Sequence, residues 1–299
     1  MSKILITLIL ISLLGFISKK YKIFREEDRE IFSKFVYTFS LPALVFYSIY
    51  SNPPQISLDK VVLVEWIVST VIGILALLIG FVLNLNKKTI GSLFLVSIGG
   101  NVTFLGYPIM EKLYGNQGLT VAIIYDQLGM CLFIYTIGII LISLLSAQKI
   151  NFNFIVKKVL NNPPLWGLIL GFIFSPYKLP DFLIDSLSIL GKATTPLMMF
   201  LLGLSFSRPQ KNNRSTLGIF SGITLKLLLF PFLALILSRV LGLSDVPYKV
   251  TVLESAMPSM LTALVLALQF DLDTIFASHV IVYSTLISLI TLNLWIGVV

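Results

Sequence analysis

Long apolar runs separated by short polar connectors make up almost the whole chain. Windows of about 20 mostly apolar residues, the length that crosses a bilayer as a helix, fall at residues 3–18, 31–50, 61–83, 90–113, 119–145, 163–175, 181–205, 216–240, 247–269 and 274–298. The first and sixth are short; Pro163 and Pro164 open the sixth and Pro176 follows it. The pattern predicts an all-α polytopic membrane protein with ten transmembrane helices. The connectors leave no room for a separate soluble domain, and residues 151–162 read as a polar linker carrying Lys157 and Lys158.

Two windows are interrupted. The fourth contains GGNVTFLGYP, residues 99–108, in which Gly99, Gly100, Gly106 and Pro108 are poor helix formers. Asn101 lies about 11 residues into that window, or about 16 Å at 1.5 Å per residue. Half of a hydrocarbon core of about 30 Å is about 15 Å, so the break falls near the midplane. The ninth window contains SAMPSM, residues 255–260, with Pro258 as its break.

The windows repeat as two sets of five, residues 1–150 and 151–299. Pro42 after Leu41 in the second window is matched by Pro196 after Thr195 in the seventh. Tyr114-Gly115 closing the fourth is matched by Phe270-Asp271 closing the ninth, and in this register Asn101 falls opposite Met257. Five is odd, so the second set enters the membrane with opposite polarity, as an inverted repeat. Backbone groups freed at mid-membrane cannot face lipid and are tolerated where they line a cavity or meet protein. Two breaks meeting there pool those groups and present helix ends suited to an anion, a coupling cation, or both.

Composition agrees with a membrane protein. Hydrophobic residues are 57% of the 299 and charged ones 12%, against about 45–50% apolar in soluble domains. The lone Cys131 cannot form an internal disulfide, and the lone His279 has no Cys or His partners for zinc. The net charge of +8 fits basic cytoplasmic loops better than nucleic-acid binding. With the N-terminus outside, the inner loops hold Lys19, Lys20, Lys22, Arg25, Arg29, Lys87, Lys88, Lys149, Lys157, Lys158, Arg208, Lys211 and Arg214. The outer side holds Lys3, Lys60, Lys112, Lys178, Arg239 and Lys249, about half as many. Both termini are therefore expected outside the cytoplasm. The first apolar run carries most of its basic residues after it, unlike a signal peptide, and reads as an uncleaved span.

GGNVTFLGYPIMEKLYGNQGLTVAIIYDQ resembles the fourth-span signature of the auxin efflux carrier family, and ESAMPSMLTALVLALQFDLD its ninth-span signature. LPALVFY and GKATTPLMMFLLGLS fit its second and seventh spans. The resemblance covers nearly the whole chain, and the short connector at 146–162 is similar to bacterial members. It implies a fold shared with bile-acid/sodium symporters, with spans four and nine crossing in an X. Spans one, two, six and seven (about 3–50 and 163–205) would form a scaffold. Spans three to five and eight to ten (about 61–145 and 216–298) would form a transport core moving as an elevator. The implied cargo is a small organic acid, such as a dicarboxylate or an auxin-like acid. The family's crossover asparagine maps onto Asn101. Its ninth-span counterpart is not asparagine here, where Met257, Ser259 and Thr262 stand; that departure weighs against an indole-acid substrate.

Candidate site residues follow. Asn101, Val102, Thr103, Met257, Pro258, Ser259 and Lys192 are the candidate substrate contacts. Glu254, one turn before Pro258, and Asp126, in the fifth window, are candidates for coupling sodium or protons, since ionisable residues within spans default to functional roles. A carboxylate facing an outer vestibule is the alternative for Glu254. Oxygens for a hard cation are supplied only loosely by Asn101, Thr103, Ser255 and Ser259. Lys226 is deep by count, with snorkelling as its alternative; Glu65 reads as interfacial, and His279 as a polar residue of the helix bundle. No resident metal or cofactor is expected. The leading function is secondary transport of small organic anions at the plasma membrane, with a homodimer as candidate assembly. A channel or ligand-sensing receptor is the alternative. One Cys, one His and no HExxH or GxSxG leave little material for an intramembrane enzyme.

Overall fold

A computed structural model describes residues 2–25, 28–54, 58–146, 152–205 and 216–299, and its regular elements are helices. Helix α1 is Ser2–Lys20. Helix α2, Asp28–Phe35, runs through a π-helical turn, Val36–Ser40, into α3, Leu41–Ser51. Helix α4 is Asp59–Val82, and α5 is Lys87–Ile98, where the chain breaks. A π turn, Val102–Gly106, resumes it as α6, Tyr107–Ile124, which bends at Gly115 with φ +62°. The π turns Tyr125–Cys131 and Ile134–Gly138 lead to α7, Ile139–Leu145. Then follow α8, Phe152–Leu160; α9, Pro163–Phe174; α10, Asp181–Lys192; and α11, Thr194–Ser205. Helix α12, Thr216–Thr224, continues through the π turn Leu225–Leu229 into α13, Phe230–Val240. Helix α14 is Asp245–Ser255, α15 is Thr262–Gln269 and α16 is Thr274–Val298.

Among the described residues, six continuous helical stretches are long and apolar enough to cross a membrane: Glu30–Ser51, Asp59–Val82, Val102–Leu145, Asp181–Leu204, Thr216–Val240 and Thr274–Val298. Large apolar side chains such as Leu228, Phe232, Ile236 and Leu268 are exposed, as a lipid-facing surface requires. The linker at 151–162 differs from the sequence reading. Most of it is the helix α8, whose Phe154 packs edge-to-face on Phe270 and whose Lys158 donates to Gln269 Oε1 at 3.0 Å. Phe154 of that linker meets Phe270 at the end of α15, a contact that the linker's polarity concealed. Lys149, Arg208, Lys211 and Arg214, used in the orientation argument, lie outside the described residues.

The chain divides into two compact units. The first holds residues 1–57, 103–123 and 160–207. In it α1 packs on α11, and α3 on α9 and α10. Glycines permit the approach: a Cβ on Gly167 would lie 2.5 Å from the Pro42 carbonyl oxygen, and one on Gly191 2.9 Å from Leu44 Cα. Small residues at such crossings replace the hydrophobic driving force that lipid removes. Ser40 ties the same elements by hydrogen bonds to Leu190 O (2.9 Å) and Thr194 Oγ1 (2.7 Å).

The second unit holds residues 58–102, 124–159 and 208–299. In it α4 packs on α5 and α13, α13 on α14, and α16 on α5 and α12. Asp273 locks the start of α16 to the start of α5. Its Oδ1 caps α16 by accepting from Phe276 N at 3.0 Å, and its Oδ2 accepts from Thr89 Oγ1 at 2.8 Å. Its carbonyl accepts from Ser92 Oγ at 2.9 Å. A cap is worth about 1 kcal/mol and a buried hydrogen bond about the same. Asp273→Ala is therefore expected to lower the melting temperature by about 4–8 °C at 2–4 °C per kcal/mol, read by thermal unfolding in detergent.

Candidate functional site

The two sequence breaks meet within the second unit. At the end of α5 the chain leaves helical geometry at Gly99 (φ −87°, ψ 119°). At the end of α14 it runs through residues 256–261 before α15 begins. The two stretches pair as a short antiparallel bridge between Gly100 and Ser259. Asn101 N donates to Pro258 O at 2.6 Å, and Met260 N donates to Gly99 O at 3.0 Å. Pro258 has no N–H to offer, so its carbonyl alone joins the pairing. Each break thus satisfies part of the other's backbone, as a buried break must.

Side chains complete the accounting. Ser259 Oγ donates to Val96 O at 2.7 Å, near the carbonyl end of α5, and Ser259 N donates to Ser284 Oγ at 3.2 Å. Gly100 N points at Met130 Sδ, 3.2 Å away. A side-chain donor on the break itself is left over. Asn101 is 3% exposed and its Nδ2 has no hydrogen-bond partner. A buried amide donor without an acceptor costs about 1–3 kcal/mol, and this one has its donor capacity unused.

A cluster of ionisable side chains surrounds the crossing in the same unit. Glu65, Asp126, Lys226 and Glu254 are each at most 1% exposed. Glu65 accepts from Ser69 Oγ at 2.8 Å. Tyr125 Oη lies 3.1 Å from Ser255 Oγ and 3.5 Å from Glu65 Oε2, and Ser255 Oγ donates to Thr251 O at 2.7 Å. Asp126 accepts from Gln127 Nε2 at 3.0 Å and from Cys131 Sγ at 3.3 Å. Glu254 lies within electrostatic reach of Asp126 and Lys226, and neither of its carboxylate oxygens has a hydrogen-bond partner. Asp126 and Lys226 both occupy π turns, which widen a helix locally and recur at functional sites.

The second unit therefore gathers Gly99, Gly100, Asn101, Val102, Met257, Pro258, Ser259, Glu254 and Asp126. Thr103, Gly106, Pro108 and Lys192 belong to the first unit, where Lys192 is the exposed last residue of α10. One expectation changes and two alternatives fall. Glu254 does not face a vestibule, since it is fully buried. Glu65 is buried against Gly129, not interfacial; a Cβ on Gly129 would lie 2.8 Å from Glu65 Cγ. Lys226 does not snorkel, because its Nζ donates to Ser255 O at 3.1 Å. Tyr125, whose hydroxyl joins Glu65 to Ser255 of α14, carried no distinguishing signal in an apolar run.

Comparison with known proteins assigns the chain to a family. A family model described as "Membrane transport protein" matches residues 1–296. An uncharacterized transporter of Methanothermobacter thermautotrophicus is 33% identical over 294 residues, covering 97% of this chain and 95% of the relative. One from Methanocaldococcus jannaschii is 32% identical over 314 residues, covering 99% and 97%. Auxin efflux carrier component 8 of Arabidopsis thaliana is 24% identical over 340 residues, covering 93% and 91%. With apolar helices of spanning length and a family match along nearly its full length, the chain is a multi-pass membrane transporter that belongs to the auxin efflux carrier family.

Proposed function

We propose that this protein is a secondary transporter of small organic anions, with carboxylates as the substrate class. The observation that carries the reading is the paired break, with the unsatisfied Asn101 Nδ2 beside it. A carboxylate supplies the acceptor that this donor lacks. The half-helix α15, which begins past the second break, offers its positive end to an anion. The full reading is ten spans as a 5+5 inverted repeat, with both termini outside the cytoplasm and an elevator motion between the two states. It is supported by helices at each of the ten apolar windows and by the division into two compact units. The first unit, with α1–α3 and α9–α11, corresponds to a scaffold, and the second to most of a moving core. Residues 103–123, in the fourth and fifth windows, group with the first unit.

Export of a monovalent anion from an inside-negative cell gains about 2.3 kcal/mol per 100 mV, so efflux runs without a coupled ion. Uptake needs one, and Glu254 and Asp126 are the groups placed to carry a proton or sodium ion. Proteoliposome counterflow with a panel of labelled mono- and dicarboxylates tests the function. Saturable exchange supports it; single-channel currents without counterflow overturn it. Where uptake follows an imposed gradient, Glu254→Gln should keep counterflow and lose gradient-driven accumulation, by about tenfold for each pH unit imposed.

A further inference from the structure

Helix α8 lies outside the ten apolar windows, and its 9 residues are too few to cross a bilayer. None of them is buried. At about 100° per residue, Phe152, Ile155, Val156, Val159 and Leu160 share one arc of about 140°. Phe152 is 77% exposed and Leu160 52%, and the other three are half-exposed. A second face belongs to α15. There the Phe154 ring meets Phe270 and the Lys158 amine donates to Gln269 Oε1. The third side carries Asn153 and Lys157, both exposed. Charge in this part of the chain has one sign: residues 127–162 contain Lys149, Lys157 and Lys158 and no Asp or Glu.

We propose that α8 is an interfacial helix that docks on acidic phospholipid and ties the end of α15 to the membrane surface. A short helix with an apolar arc on one side and only basic charge on the other fits the boundary between acyl chains and headgroups. Phe152 and Leu160 enter the acyl edge, while a lysine stem runs along the apolar surface and places its amine among the headgroups. Charge complementarity selects acidic lipid, since no carboxylate in residues 127–162 opposes it. Each lysine near an acidic surface strengthens docking about fivefold. The consequence reaches the crossing. Helix α15 starts just past the break at Pro258 and ends where α8 grips it, so the charge of the leaflet acts on the far end of that half-helix. This goes beyond the transport reading and holds whatever the cargo is.

The test uses the full chain, one copy per lipid nanodisc, in phosphatidylcholine alone or mixed with phosphatidylglycerol, and needs no substrate. Hydrogen exchange reports local opening of each helix. In wild type, exchange over residues 152–160 should be at least about fivefold slower in the acidic discs, and high salt should shrink the difference. Lys157→Gln should take back about fivefold of it. Phe152→Asn should speed exchange in both lipids. Residues 262–270 should also slow in acidic discs, and Phe154→Ala should remove that response while α8 keeps its own. Helix α10 should exchange alike in both lipids. Equal exchange of α8 in the two lipids overturns the proposal, as does a Lys157→Gln chain that responds like wild type. Protection of α8 only in discs that hold two copies overturns it in favour of a second copy as the occupant. Lipid-dependent exchange of α8 with none at residues 262–270 overturns the tie to α15.

Discussion

Asn101→Leu should reduce counterflow by about 10- to 100-fold while the protein becomes no less stable. The two effects come from different atoms. The backbone N–H of Asn101 holds the crossing together through Pro258 O, and that bond survives any side-chain change. The side-chain Nδ2 holds nothing in the protein. A hydrogen bond to a charged group is worth about 1.5–3 kcal/mol, which sets the loss of flux when the donor goes. The same substitution removes an unsatisfied buried donor, which relieves about 1–3 kcal/mol. The melting temperature should then hold or rise, by about 2–4 °C per kcal/mol. Loss of transport together with unfolding would make Asn101 a structural residue; retained transport would remove it from the substrate site.

Gly203→Val should have the largest effect on stability. Gly203 of α11 and Gly15 of α1 form a reciprocal crossing within the first unit. A Cβ on Gly203 would clash with the Ser12 carbonyl oxygen and lie 2.9 Å from Phe16 N. A Cβ on Gly15 would clash with the Phe200 carbonyl oxygen and lie 3.1 Å from Leu204 N. These obstacles are backbone atoms of helices, which cannot rotate aside as a side-chain end can. Overpacking costs about 1–3 kcal/mol even where side chains yield. Here the helices themselves must separate, so a loss of at least about 3 kcal/mol, or about 6–12 °C, is expected. Gly297→Val is the control, since a Cβ there meets nothing within 4 Å. Equal melting temperatures for the two variants would mean that this crossing does not limit stability.

The sequence alone determined the apolar windows and the two interruptions. Both are local properties. A bilayer demands a run of apolar residues of spanning length, and glycine and proline weaken a helix wherever they stand. Aligning the fourth window with the ninth went further and set Asn101 opposite Met257, one residue from the Pro258 that its backbone meets. The kink at Gly115 falls at the Tyr114-Gly115 pair that closes the fourth window. What the sequence left open was the partner of each polar side chain. Lys226 has about the same depth by count whether it snorkels or turns inward; only the packing of α13 against α14 directs its amine to Ser255 O. Glu65 sits near the end of its window, yet α4 packs on the π turn Tyr125–Cys131, which closes over it and leaves it 1% exposed. Spacing along a helix states how deep a residue lies. Which face looks inward is decided by the neighbouring helices, because in a span that is apolar on every side the chain carries no stripe to say so.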